Sequence, residues 1–142
     1  MKENTANRSA ELSKLNIVLT FPRIISDIKS TVASNLAMSF AREGKRTLLV
    51  DCDLRRPTQH KLFGVTNNSG LSSVLLGDTS FSESVHRTHV PGLDLLPSGP
   101  RPPNPAELLG SDRMVNFLDS ITEALVRGDR VEFREFGASS EE

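Results

Sequence analysis

The sequence predicts an α/β fold with a parallel sheet in three layers, and two observations decide it. The runs Asn16-Ile17-Val18-Leu19-Thr20 and Thr47-Leu48-Leu49-Val50 are apolar without alternation, the pattern of strands buried on both faces. Between them the period changes to that of a helix, so strand, helix and strand compose a right-handed crossover with the two strands parallel.

Each element then follows in order. From Ser30 to Glu43, Val32, Leu36 and Phe40 recur every four positions beside Ala33, Ala37 and Ala41, and Gly44 follows where a helix prefers to stop. Pro57 is placed to open a short helix ending near Gly64, and Gly70 to Leu76 reads as another, stopped by Gly77. Ser80 and Glu83 have capping-box spacing, which predicts a helix from Phe81 to about Arg87. Leu93-Asp94-Leu95-Leu96 is a third core strand, and the proline-rich loop from Pro97 to Pro105 cannot carry a hydrogen-bonded ladder. Asn104 and Pro105 restart the helical chain as cap and first residue. Met114, Leu118, Ile121 and Leu125 line one face of a longer helix that Gly128 ends, and Arg130 to Arg134 alternates like a half-exposed strand. The organisation expected is an N-terminal extension over 1–14, one α/β domain over 15–128, and a short strand with an acidic tail over 129–142.

Composition narrows the function. With 142 residues the chain suits a single core. A net charge of −1 gives no global excess for nucleic acid or an anionic membrane to meet. The absence of a long apolar run predicts no transmembrane helix, the polar start lacks the pattern of a signal peptide, and a cytoplasmic location is expected. One cysteine, Cys52, and three scattered histidines supply neither a disulfide nor a zinc site. Without a single tyrosine, the chain cannot be phosphorylated on a tyrosine of its own.

Two groups of residues carry the candidate chemistry. Lys29-Ser30-Thr31 opens a helix after the first strand, the layout in which helix amides and a lysine stabilise phosphate oxygens while a serine ligates magnesium. The preceding stretch, Phe21 to Ile28, contains no glycine, although G-x-x-x-x-G-K-[ST] asks for one at Arg23 and one at Ile28. An ordinary lysine at a helix start is an equal reading of Lys29 at this point. The second group is Asp51-Cys52-Asp53, two carboxylates past the end of the second strand, on the edge where open α/β sheets bind ligands. They could hold magnesium or accept a proton, and strands also simply turn with aspartate. Arg55 and Arg56 could neutralise phosphate or remain solvated, while Cys52, on the opposite face, reads as a core residue.

From Lys29 to about Arg113 the chain resembles the ATPase domain of bacterial tyrosine kinases of the capsule and exopolysaccharide family, related to MinD-like P-loop ATPases. The residues that carry the likeness are Lys29-Ser30-Thr31 with Ala33 to Ala37, the run Leu48 to Thr58, Gly70-Leu71-Ser72, Leu75-Leu76-Gly77, Gly92 to Pro100 and Pro102 to Leu109. The resemblance implies a truncated P-loop-like core that binds ATP and Mg2+ and transfers the γ-phosphoryl group to tyrosine. It also implies a membrane activator of polysaccharide export as partner, and a homo-oligomer is a further possible assembly. On that template Lys29 contacts the phosphates, with Asp27, Ser30, Thr31 and Arg55 around the nucleotide; Ser30 and Asp51 serve the metal, and Asp51 and Asp53 are the catalytic carboxylates. The family's loop proline and both glycines are missing between Ile25 and Ser30, and Asp129 to Arg134 does not form an apolar strand ending in aspartate. These departures point to a degenerate site, inactive as this chain alone. A non-enzymatic alternative uses the Pro97 to Pro105 loop to contact a partner or a second copy.

The ends resemble another family. Phe117 to Leu125, Arg127 to Arg134 and Phe136-Gly137 are similar to a helix and hairpin strand of HU-type DNA-binding proteins, and Asn7-Arg8-Ser9, Glu11-Leu12 and Lys14-Leu15 are weakly similar to their start. That likeness implies a chimera with a dimerising or DNA-binding module. The basic arms that bend DNA are absent, so nucleic acid is not expected as a partner.

Overall fold

The computed structural model describes residues 15–20 and 26–126. Four strands, β1 (Leu15–Thr20), β2 (Arg46–Asp51), β3 (His86–Arg87) and β4 (Leu93–Leu96), form one sheet in the order β1-β2-β4-β3. β1, β2 and β4 are parallel, with Thr20 opposite Asp51 and Val50 opposite Leu96, while β3 runs antiparallel to β4. Six helices complete the described chain: α1 (Ser26–Arg42), α2 (Gln59–Phe63), α3 (Leu71–Leu75), α4 (Phe81–Ser84), α5 (Pro105–Leu109) and α6 (Asp112–Val126).

Strand periodicity sorts the core into two layers. Leu48, Val50 and Cys52 pack on one face with Leu71, Leu75, Phe81, Phe117 and Ile121, whereas Leu49, Val18, Leu93 and Leu95 pack on the other with Ala37 and Ala41 of α1. The predicted three layers are therefore present: helices lie on both sides of a mostly parallel sheet.

Several elements differ from expectation for physical reasons. α1 begins at Ser26, a full turn before Ser30, because a glycine-free stretch with serine and aspartate at its start is well suited to a first helical turn. Its buried face is Ser34, Ala37 and Ala41, small residues that let the helix lie close to the sheet, while Val32 and Leu36 face solvent. On α6 the buried positions are Met114, Phe117 and Ile121, with Phe117 taking the central place that the sequence assigned to Leu118. α4 stops at Ser84: Val85 is extended, and His86 and Arg87 pair with Leu95 and Asp94 instead of continuing the helix. The capping box at Ser80 and Glu83 is present, each residue's side chain accepting from the other's amide, and the Ser80 amide, with the Ser80 hydroxyl, holds the Glu83 carboxyl below its usual range. Asn104 and Pro105 occupy the expected first positions of α5, although the Asn104 side chain makes no cap. The 1–14 extension, the Gly128 stop, the strand at 130–134 and the acidic tail lie outside the described residues.

Candidate nucleotide site

The site is built at the carboxyl ends of β1 and β2, and parallel register makes it. Thr20, the last residue of β1, is the register partner of Asp51, the last of β2, and the Cys52 amide donates to the Thr20 carbonyl at 2.7 Å. Only residues 21–25 separate Thr20 from α1, so the helix start lies within about 20 Å of this edge even if that stretch is fully extended. Asp51 and Asp53 thus follow the end of β2 that pairs with the end of β1, and from that end of β1 the chain leads to the helix that carries Lys29.

Asp51 carries more hydrogen bonds than Asp53, its neighbour at this edge. Its carboxylate is buried and accepts four hydrogen bonds: Oδ1 from the Thr20 hydroxyl (3.1 Å) and the Asp53 amide (3.0 Å), Oδ2 from the amides of Thr58 (3.2 Å) and Gln59 (3.1 Å). Four bonds match the number of lone-pair directions a carboxylate offers. Burial pushes the Asp51 carboxyl above its ordinary range, and the amide bonds and the Thr20 hydroxyl oppose that rise. The same carboxylate caps α2, whose own N-cap residue, Thr58, makes no side-chain cap. Pro57, placed by the sequence as the helix opener, precedes that cap and α2.

Asp53 is also buried, and one of its oxygens accepts from the Arg56 amide at 3.0 Å. The two carboxylates therefore differ: Asp51 is fully engaged with protein donors, while Asp53 shows one side-chain bond among the described residues. Arg55 and Arg56 are exposed just past this turn. Asp27, Lys29 and Ser30 lie in the first turn and a half of α1, and Thr31, in the same stretch, is exposed. Since α1 starts at Ser26, the free amides of the helix N-terminus belong to its first turn rather than to Ser30 and Thr31.

Cys52, between the acids, is wholly buried against Leu54 and Leu71, in the core as the sequence predicted. Burial, reinforced by the Asp51 charge, pushes its thiol far above the ordinary thiol range. The thiol will accordingly show no reaction with a disulfide reagent in the folded protein and full reaction in denaturant; rapid labelling under native conditions would contradict this burial.

Magnesium needs few protein ligands, because it keeps waters and substrate phosphates in its shell. The buried Asp53 carboxylate, with one protein hydrogen bond among the described residues, is the kind of donor such a phosphate-held ion uses. An open groove of about 380 Å³ lies elsewhere, lined by Leu76, Pro102, Asn104, Glu107, Leu108 and Arg113, and draws on the proline-rich loop.

One support of the edge was not visible in the sequence. Gly70 and Gly99 cross so closely that the Leu71 and Ser72 amides donate to the carbonyls of Pro97 and Ser98, both at 2.8 Å. Asn67 completes the crossing, taking the Gly99 amide on Oδ1 at 2.7 Å and donating to the Gly99 carbonyl at 3.2 Å.

Comparison with known proteins agrees with the fold. The AAA domain family model matches residues 28–116. The chain belongs to the AAA domain family. Its relatives include the tyrosine-protein kinase YwqD of Bacillus subtilis, 54% identical over 86 residues, which covers 61% of this chain and 36% of YwqD. Another is the tyrosine-protein kinase wzc of Salmonella typhi, 39% identical over 115 residues, covering 80% of this chain and 16% of wzc. The crystal structure of the chimerical protein CapA2B2 superposes with a TM-score of 0.69 at 41% identity, covering 82% of this chain and 53% of that one. The chain spans about a third of YwqD and about a sixth of wzc. The AAA domain match ends just before the segment that resembles HU-type proteins, and these relatives give no support to a chimera. Phe117 and Ile121 of that segment are part of the same core as Leu48 and Val50. Among the described residues no helix is long and apolar enough to cross a membrane.

Proposed function

We propose that this AAA domain binds ATP with magnesium at the carboxyl edge of β1 and β2. The observation that supports the reading is the register of Thr20 and Asp51, which sets the last residue of β1, from which the chain leads to the Lys29 helix, beside the start of the Asp51–Asp53 turn. In this proposal Lys29 neutralises the phosphates, assisted by Ser30, Thr31 and exposed Arg55, and Asp53 faces the magnesium shell while Asp51 holds the turn. Asp27 adds an acid beside the same helix start. Transfer of the γ-phosphoryl group to tyrosine, the chemistry in the relatives' names, is proposed only for an assembly that completes the site. The glycine-free stretch before Lys29 and the early start of α1 make the isolated chain a binder rather than a catalyst. A cytoplasmic setting, contact with a membrane activator of polysaccharide export and self-association belong to the same proposal.

Equilibrium binding of labelled ATP, with and without magnesium, tests it. Magnesium-dependent binding that falls at least tenfold in both Lys29→Ala and Asp53→Asn is the expected result, each loss being that of one charge-assisted contact. Binding that ignores both substitutions overturns the site.

A further inference from the structure

We infer that Thr20 is a positioning residue, its hydroxyl holding the Asp51 carboxylate so that the Asp51–Asp53 turn keeps the geometry a magnesium-bound phosphate requires. The inference rests on the nucleotide reading above. Thr20 is buried at the last position of β1, where the chain leaves for α1, and its Oγ1 donates to Asp51 Oδ1 at 3.1 Å across the two strands. The same Oδ1 takes the Asp53 amide at 3.0 Å, so the hydroxyl and that amide share one oxygen and fix its direction between them. Oδ2 is fixed separately by the Thr58 and Gln59 amides. Without the hydroxyl Oδ1 keeps only the Asp53 amide, so the bond that loses its companion donor is the one to the residue proposed to face the metal. The strand pairing does not need the hydroxyl, since the Cys52 amide binds the Thr20 carbonyl rather than its side chain. A threonine here therefore couples the end of β1 to the acid turn through one donor.

Thr20→Val keeps the branched shape and removes the donor, and Thr20→Ser keeps the donor and removes a methyl group. Two readouts on the full 142-residue chain decide the matter: the magnesium-dependent part of ATP binding, and amide hydrogen exchange at Asp53 and Gln59. Thr20→Val should weaken magnesium-dependent binding about tenfold, leave magnesium-free binding unchanged, and speed Asp53 exchange about tenfold, the loss expected for one hydrogen bond to a charged acceptor. Thr20→Ser should restore both. Wild-type behaviour of Thr20→Val in both readouts, or equal impairment of Thr20→Ser, overturns the positioning role. If the wild-type chain binds no ATP at all, the nucleotide reading falls with it, and exchange alone then decides whether Thr20 orders the turn: unchanged Asp53 exchange in Thr20→Val overturns it.

Discussion

Asp51→Ala will destabilise the fold by about 4 kcal/mol, well beyond an ordinary loss at a sheet edge. The carboxylate receives the Thr20 hydroxyl and the amides of Asp53, Thr58 and Gln59, and alanine leaves all four donors without it. A buried donor left unsatisfied costs roughly 1–3 kcal/mol, so the three buried donors, with a smaller share from the part-buried Thr58 amide, give about this total. Asp51→Asn keeps one acceptor oxygen but turns an NH2 toward the other donors, which predicts a loss of about half that size. Urea unfolding with an unchanged slope and a lower midpoint is the expected observation. A loss below about 1 kcal/mol for Asp51→Ala would show that the carboxylate does not hold α2 and the turn together.

The second large effect is Gly70→Ala. A Cβ at this position would stand 2.2 Å from the Pro97 carbonyl oxygen and 2.4 Å from the Gly99 amide nitrogen, and both neighbours are backbone. No rotamer change relieves such a contact, so the crossing must open and release the Leu71 and Ser72 amide bonds. A cost of about 3 kcal/mol follows, the upper end of ordinary overpacking. Gly99 shows the same crowding from the other side, with a positive φ of 83° that disfavours any other residue. A Gly70→Ala protein with a wild-type melting curve would refute the close crossing.

The sheet was readable because its strands are buried on both faces, and burial of that kind leaves an uninterrupted apolar run such as Thr47 to Val50. Helix ends marked by Gly64 and by Asn104-Pro105 were readable for a similar reason: each is a local rule with a local signature. Features set by distant partners were not. Val32 and Leu36 carry more apolar area than Ala37 and Ala41, yet the sheet takes the small residues because they allow close approach, with Phe40 packed beside them. His86 and Arg87 leave the helix for a strand because β4 offers them partners. The acid pair could be placed at the sheet edge from sequence. Its division of labour could not, because the amides of Thr58 and Gln59 reach Asp51 through a turn that no spacing rule describes. The close passage of Gly70 and Gly99, twenty-nine positions apart, has no local signal either.

These findings give the family relation a physical content. In an AAA domain whose lysine sits inside the first turn of α1, and whose Asp51 is committed to capping α2, Asp53 is the aspartate we propose to serve a metal-bound phosphate. The measurement that tests this most directly is amide chemical-shift mapping of the 142-residue chain titrated with ATP and magnesium. The account predicts that the shifts concentrate on Thr20, on Ser26 to Thr31 and on Asp51 to Arg55. Shifts confined to the groove around Pro102 and Arg113, or none at all at saturating nucleotide, would contradict it.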